Sequence, residues 1–283
     1  MITDEWLQKL LFDKTSAPKF STDFPAKKIE TSMSWNDLVL SPYTLKQIND
    51  IQLWLQHNNY ILKDAVLGRK IKPGYRVLFY GPPGTGKTLT ATLLGNQFQK
   101  DVYRIDISQV VSKYIGETEK NLEKIFAKAE HKNWILFFDE ADALFGKRTN
   151  VQNSHDRYAN QEVSYLLQRI EDFPGLLILA SNFKSNMDEA FLRRFHTIVH
   201  FPSPNAQERL QLWQKTFPAF CKPEPSINLI ELSEKYDLSG AAILNVVHYA
   251  ALKAASQKNE HIKFDDIIEG VRKEFRKEER SLS

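Results

Sequence analysis

The sequence carries a single cysteine, Cys221, among 283 residues. That excludes an internal disulfide framework and fits a reducing compartment. No apolar run approaches the ~20 residues needed to span a bilayer. The opening MITDEWLQKLLFDK carries early acids and no long apolar stretch, unlike a secretory signal. The expectation is a cytoplasmic protein with no membrane attachment. Charge of one sign is not in excess either: 38 basic residues face 35 acidic ones, leaving a net charge of +3. Such balance argues against nucleic acid or another strong polyelectrolyte as partner, a local basic patch aside. Basic–aromatic stripes, internal repeats and low-complexity tracts are all missing.

What remains is the composition of an ordinary globular chain, 42% hydrophobic and 26% charged, with material for a sizeable core. Residues 1–12 pattern as a short helix with Trp6, Leu7, Leu10 and Leu11 on one face, a docking element or a self-packing one. The stretch TSAPKFSTDFPAKK then reads as loop, because Pro18 and Pro25 block regular structure. A helix is predicted from about Thr44 to Leu55. Five apolar runs follow: RVLFY (76–80), VYRID (102–106), ILFF (135–138), LLILA (176–180) and IVHF (198–201). Being continuous rather than alternating, they read as buried parallel strands. Between them lie amphipathic helices, one with the stripe Leu122, Ile125, Phe126 and Ala129. This alternation predicts an α/β sheet with helices on both faces. Beyond HFPSPN the pattern is helical without strand signals, roughly over 205–217, 228–236, 239–256 and 264–277. The expected organisation is an N-terminal helix and linker (1–32), an α/β domain (33–203) and a small helical domain (204–283).

Between the first of those strands and the helix after it stand Gly81, Pro82, Pro83, Gly84, Thr85, Gly86, Lys87 and Thr88, followed by Leu89. This is a full match to G-x-x-x-x-G-K-[ST] in the strand–loop–helix context that the motif requires. Glycines let the backbone curl so that its N–H groups face phosphate oxygens, and the helix start adds its positive dipole end. Lys87 is suited to the β- and γ-phosphates of ATP, and the Thr88 hydroxyl to Mg²⁺. The run ILFFDEADALF supplies the acids such a site needs. Asp139 ends an apolar strand, as a Mg²⁺-organising carboxylate must. Glu140, next to it, can polarise a water for in-line attack on the γ-phosphate, which argues for hydrolysis rather than binding alone. Asn182, at the end of LILASN, is either an ordinary turn residue or the amide that holds the attacking water.

The order of phosphate loop, FFDEAD, ASN and FLRRF, followed by a helical domain, resembles the AAA+ ATPases, specifically their AAA-type branch. The resemblance covers about residues 35–275. It implies a P-loop core with a parallel five-stranded sheet of order 5-1-4-3-2, a helical lid, and a ring, expected as a homo-hexamer, with ATP at subunit interfaces. Lys87 and Thr88 match the family's phosphate-loop residues, Asp139 and Glu140 its acid pair, and Asn182 its first sensor. Arg193 and Arg194 match paired arginines that serve a neighbouring subunit's site as fingers. The alternative is that both cap the local helix and pair with surface acids. Tyr114, Ile115 and Gly116 resemble the pore loop with which such rings grip polypeptide, unless Tyr114 packs under its own loop. Leu38 and Val39 resemble backbone bordering the adenine pocket, and Gly240 and Ala241 the lid turn near the nucleotide. Asn245 stands near where many lids carry a second-sensor arginine, and Asp156 and Arg157 are either subunit contacts or a solvated helix start. The stretch from Leu136 to Glu171 is similar to AAA+ proteins associated with bacterial extracellular contractile injection systems. The resemblance therefore implies a Mg²⁺–ATP-dependent protein remodeller or assembly factor. A nucleotide-gated scaffold with slow hydrolysis and a nucleic-acid motor on the same fold stay open as alternatives.

Overall fold

The computed structural model describes residues 24–107, 117–144, 164–182 and 189–277. Its strands are β1 (Lys27–Ile29), β2 (Tyr75–Tyr80), β3 (Val102–Asp106), β4 (Ile135–Asp139), β5 (Leu176–Ser181) and β6 (Thr197–His200). Among the described residues they form one sheet of order β1-β3-β4-β5-β2-β6. All neighbours are parallel except β1, which runs antiparallel along β3. Numbered without β1, this is the order 5-1-4-3-2 that the resemblance implied.

The continuous apolar runs have a simple cause. In β4, Leu136 and Phe138 enter the cluster on one face of the sheet while Ile135 and Phe137 enter the cluster on the other. In β2, Leu78 is separated from Val77 and Phe79 in the same way. Side chains alternate between faces, and both faces are covered, so every position must be apolar. Leu122, Ile125, Phe126 and Ala129 are all buried on the first face, as their spacing predicts.

The helices are α1 (Pro42–Leu62), α2 (Lys87–Gln97), α3 (Glu117–Lys132), α4 (residues 164–172), α5 (Glu189–Leu192), α6 (Ala206–Thr216), α7 (Leu229–Lys235), α8 (Gly240–Ser256) and α9 (Phe264–Lys277). α1 is a turn or more longer than expected at its C-terminus. It begins with Pro42 behind a Ser41 cap whose hydroxyl accepts the Thr44 N–H, and Thr44, Ile48 and Ile51 form its buried stripe. The same helix closes the outer edge of β6. Thr44 Oγ1 donates to the His200 carbonyl (2.7 Å), and Gln47 takes up both the Ile198 carbonyl and the His200 N–H. Side-chain pairing of this kind blocks strand addition at an exposed edge.

Two expectations need correction. Residues within the stretch read as loop form β1, and Phe24 just before it is buried against Tyr103 and Trp134 at ring distances of 6.2 and 6.4 Å. Pro25 lies outside the paired residues, so it does not obstruct the ladder. The C-terminal region, read as free of strands, contains a short parallel pair, β7 (Lys222–Pro223) with β8 (His261–Ile262). Two residues per strand are too few to leave a periodic signal. Otherwise the region follows the predicted helices within a residue or two. Asn205, Asn228 and Ser239 cap α6, α7 and α8, and Trp213, Ile243, Val246, Ile267 and Val271 fill a hydrophobic cluster of their own. Buried Arg209 ties α6 to α7 by donating to the Ser233 carbonyl (2.8 Å) and to Asp237 (2.6 Å). Among the described residues no helix is long and apolar enough to cross a membrane.

Candidate functional site

β2 delivers the chain to a loop whose shape depends on Gly81, Gly84 and Gly86, all at positive φ. At Gly81 φ is +147°, and a Cβ there would sit 1.9 Å from the Phe201 carbonyl oxygen. At Gly84 φ is +75°, and a Cβ would meet Ala241 Cβ and Ser239 Oγ at 2.8 Å each. The loop therefore packs against β6's exit on one side and the start of α8 on the other, with no space for any side chain. The Ala241 N–H donates to the Gly84 carbonyl (3.2 Å), a direct link between the phosphate loop and the helical region.

Lys87 opens α2 and is 9% exposed. Its ammonium donates to the Gly81 carbonyl (2.6 Å), the Pro82 carbonyl (2.9 Å) and Asn182 Oδ1 (3.2 Å). Burial pushes its pKa down, while Asp139 and Asp142 pull the other way. The cation thus sits inside its own loop, held by neutral oxygens. The Thr85 hydroxyl donates to the Pro82 carbonyl (2.8 Å) and steadies the same turn.

Asp139 ends β4, and its Oδ1 accepts the Glu140 N–H (3.0 Å) while Oδ2 pairs with Arg104 (2.9 Å). Glu140 has φ +54°, a left-handed backbone that costs a non-glycine residue about 1–3 kcal/mol. Glu140 is exposed. Asp142, one turn on, accepts from the Ser181 hydroxyl and from the Asn182 N–H (3.2 Å), so it sets the end of β5 from which Asn182 projects.

A cavity of about 510 Å³ gathers these groups. Pro83, Gly84, Thr85, Gly86, Lys87, Thr88, Leu89, Asp139, Glu140 and Asn182 line it, and so do Leu38, Val39, Gly240 and Ala241. Gly81 and Pro82 lie behind it, with their carbonyls on Lys87. The donor set suits a nucleotide triphosphate with Mg²⁺: a hydroxyl and a carboxylate for the ion, a buried ammonium for phosphate, and an apolar slot for a base. The slot owes its walls to residues the sequence reading passed over, among them Met33, Leu40, Leu212 and Leu244. No motif marks them, because any apolar side chain of suitable size serves. Arg104 was also passed over, although a basic residue in the middle of the run VYRID was a visible signal. Asn245 takes no place in the cavity and donates to Glu274 (3.3 Å).

Arg193 and Arg194 follow α5 in a turn, are exposed, and do not line this cavity. The Arg194 guanidinium pairs with the Glu171 carboxylate. Tyr114, Ile115, Gly116, Asp156, Arg157 and the helix read at Trp6–Leu11 lie outside the described residues.

The family model for the ATPase family associated with various cellular activities (AAA) matches residues 77–203. The chain is 32% identical over 213 residues to the 26S proteasome regulatory subunit 10B homolog A of Arabidopsis thaliana, covering 72% of this chain and 53% of that protein. It is 35% identical over 212 residues to the proteasome-activating nucleotidase of Aeropyrum pernix, covering 72% and 51%. With the ATP-dependent zinc metalloprotease FtsH 2 of a Thermoanaerobacter species it shares 33% over 216 residues, covering 72% and 41%. The chain spans about half the length of the relatives it matches. The matched residues run from β2 past β6 and contain the loop, the acids and the strand ends that meet at the cavity. The chain carries a domain of the AAA ATPase family.

Proposed function

We propose that this chain binds and hydrolyses Mg²⁺–ATP and works as a ring-forming protein remodeller or assembly factor. The observation that carries the ATPase reading is the position of Lys87. Its ammonium is held by two loop carbonyls and Asn182 at the wall of a cavity that Asp139 and Glu140 also line. Phosphate oxygens would replace neutral acceptors with charged ones, a stronger interaction for a buried ammonium. Thr88 and Asp139 would hold Mg²⁺, which neutralises developing charge on the phosphates. Glu140 accepts a proton from the attacking water, Asn182 orients that water, and Leu38, Val39, Gly240 and Ala241 surround the nucleoside.

Hydrolysis in a ring is accelerated when a neighbour supplies positive charge to the γ-phosphate. Arg193 and Arg194 suit that role because they are exposed and away from the chain's own pocket. Such a finger is worth about 10³–10⁵ in rate. The relatives named for proteasome regulation and activation support work on protein, and the resemblance to AAA+ proteins supports a hexameric ring with Tyr114, Ile115 and Gly116 as the grip on polypeptide. The narrower likeness to ATPases of extracellular contractile injection systems supports an assembly partner of that kind, and the balanced charge and single cysteine support a cytoplasmic protein that does not act on nucleic acid.

The test is phosphate release and nucleotide binding on the full chain with Mg²⁺–ATP. Glu140→Gln is expected to keep ATP binding and lose about 10²–10⁴ in rate, whereas Lys87→Ala loses binding itself. Tight binding without release in the unsubstituted chain would assign the scaffold instead. Absence of binding would overturn the reading.

A further inference from the structure

Arg76 is the second residue of β2, the strand that runs on into Gly81. Its backbone and side chain both face the arginine-bearing turn. The Arg76 N–H donates to His196 Nδ1 (3.0 Å) and the His196 N–H donates to the Arg76 carbonyl (2.9 Å). From the guanidinium, Nε donates to the Arg194 carbonyl (2.9 Å) and Nη1 to the Glu171 carbonyl (2.8 Å). Glu171 lies in the last turn of α4, and its carboxylate pairs with Arg194. One guanidinium therefore fills carbonyls at the end of α4 and just past α5, where a cation also meets the negative end of a helix dipole.

The other side of the turn is gripped as firmly. The Tyr75 ring stacks on His196 at 5.0 Å and on Trp54 of α1 at 5.3 Å. Its hydroxyl shares a 2.6 Å hydrogen bond with Thr197 Oγ1. Residues 194–197 are thus registered on the first two residues of β2 from both sides. Arg76 reaches both carbonyls from separate nitrogens of one planar fork, a geometry that a lysine's point charge does not reproduce.

We propose that Arg76 is a positioning residue for the Arg193–Arg194 turn, fixing the arginines offered to a neighbouring protomer to the strand that carries this protomer's own phosphate loop. The loop and the arginines then move as one body, so what one site binds is felt at the next. This rests on the reading of Arg193 and Arg194 as fingers. Misplacing a reacting group by about 1 Å costs on the order of 10²-fold in rate, so loss of the fork should cost about 10- to 100-fold in turnover with little change in nucleotide affinity.

The experiment is a mixing assay with full-length chains. Arg76→Gln has an intact pocket of its own but misplaced arginines. Glu140→Gln has a dead pocket and well-placed arginines. Arg76→Gln alone is expected to turn over slowly, with nucleotide binding near that of the unsubstituted chain. Adding excess Glu140→Gln should then raise turnover per Arg76→Gln chain several-fold, because active pockets now receive good neighbours. Damage confined to the protomer's own site would not be rescued in this way. Arg76→Lys, which keeps charge without the fork, carries the same assay if Arg76→Gln does not fold. The double variant Arg193→Ala/Arg194→Ala is the reference. If it is rescued by Glu140→Gln and the Arg76 variant is not, or if the Arg76 variant turns over normally, the positioning role is wrong while the fingers stand. If the double variant itself keeps the full rate, the finger reading falls and the proposal with it.

Discussion

At the scale of single residues, polar groups are held by specific partners or by the backbone. Lys87 shows this through burial, exposed Glu140 through its left-handed backbone, and His196, away from the cavity, through its proton. Burial, and then the Arg76 guanidinium, hold the His196 pKa below the usual imidazole range. The groups facing it are the Arg76 N–H at Nδ1, the Arg76 guanidinium 3.4 Å from Nε2, and the Tyr75 ring. Protonating Nδ1 would set two N–H groups against each other. Because the folded chain holds the neutral ring, the unfolded chain takes up a proton first as pH falls. The associated stability is complete above about pH 6.5, the unperturbed imidazole value, and declines below it. Thermal melts at pH 7.5 and 5.5 should therefore separate more for the unsubstituted chain than for His196→Gln, which keeps an acceptor but does not titrate. Equal separation would mean that His196 does not hold the turn through its neutral ring.

At the scale of elements, the contact that matters most is between the phosphate loop and the start of α8. Gly84 and Ala241 are in direct backbone contact, and there is no room for a methyl group at Gly84. Gly84→Ala has two effects: a left-handed backbone costing about 1–2 kcal/mol in an L-residue, and a wedge between loop and helix. Titration with a fluorescent ATP analogue should show at least a tenfold loss of affinity, with the chain still folded by circular dichroism. Unchanged affinity would mean that α8 does not help to close the site. The elements also show which parts of the structure could be read in advance. The five core strands announced themselves because both faces of the sheet are covered, leaving unbroken apolar runs. The loop at 81–88 was legible because glycine positions and Lys87 obey a backbone requirement that few sequences meet by chance. β1 was hidden because three residues beside a proline carry no periodicity, and its ladder is dictated by β3 rather than by its own side chains. Arg76 was hidden for a different reason. Its partners are the carbonyls of residues 171 and 194, and backbone groups leave no signature in a sequence.

At the scale of the whole molecule, the sheet and the C-terminal helices keep separate hydrophobic clusters and share the cavity between them. The residues proposed for the chain's own pocket stand at the ends of β4 and β5 and at the start of α2, which follows β2, and they meet at the C-terminal end of the sheet. The two arginines lie between α5 and β6, beside the start of β2 and so at the opposite end of the parallel sheet, and they stay out of that cavity. On the proposed reading of Arg193 and Arg194 as fingers, each pocket is completed by a neighbouring chain. Turnover per chain should rise steeply with protein concentration and then saturate as neighbours complete each site. Measuring phosphate release over several decades of concentration, with sizing at both extremes, checks this directly. A rate that stays constant while sizing shows a monomer at the lowest concentration would mean each chain hydrolyses alone, and Arg193 and Arg194 would then be surface residues tied to Glu171. A saturating curve, abolished by Arg193→Ala/Arg194→Ala without loss of assembly, would place the missing charge of each site in the next protomer.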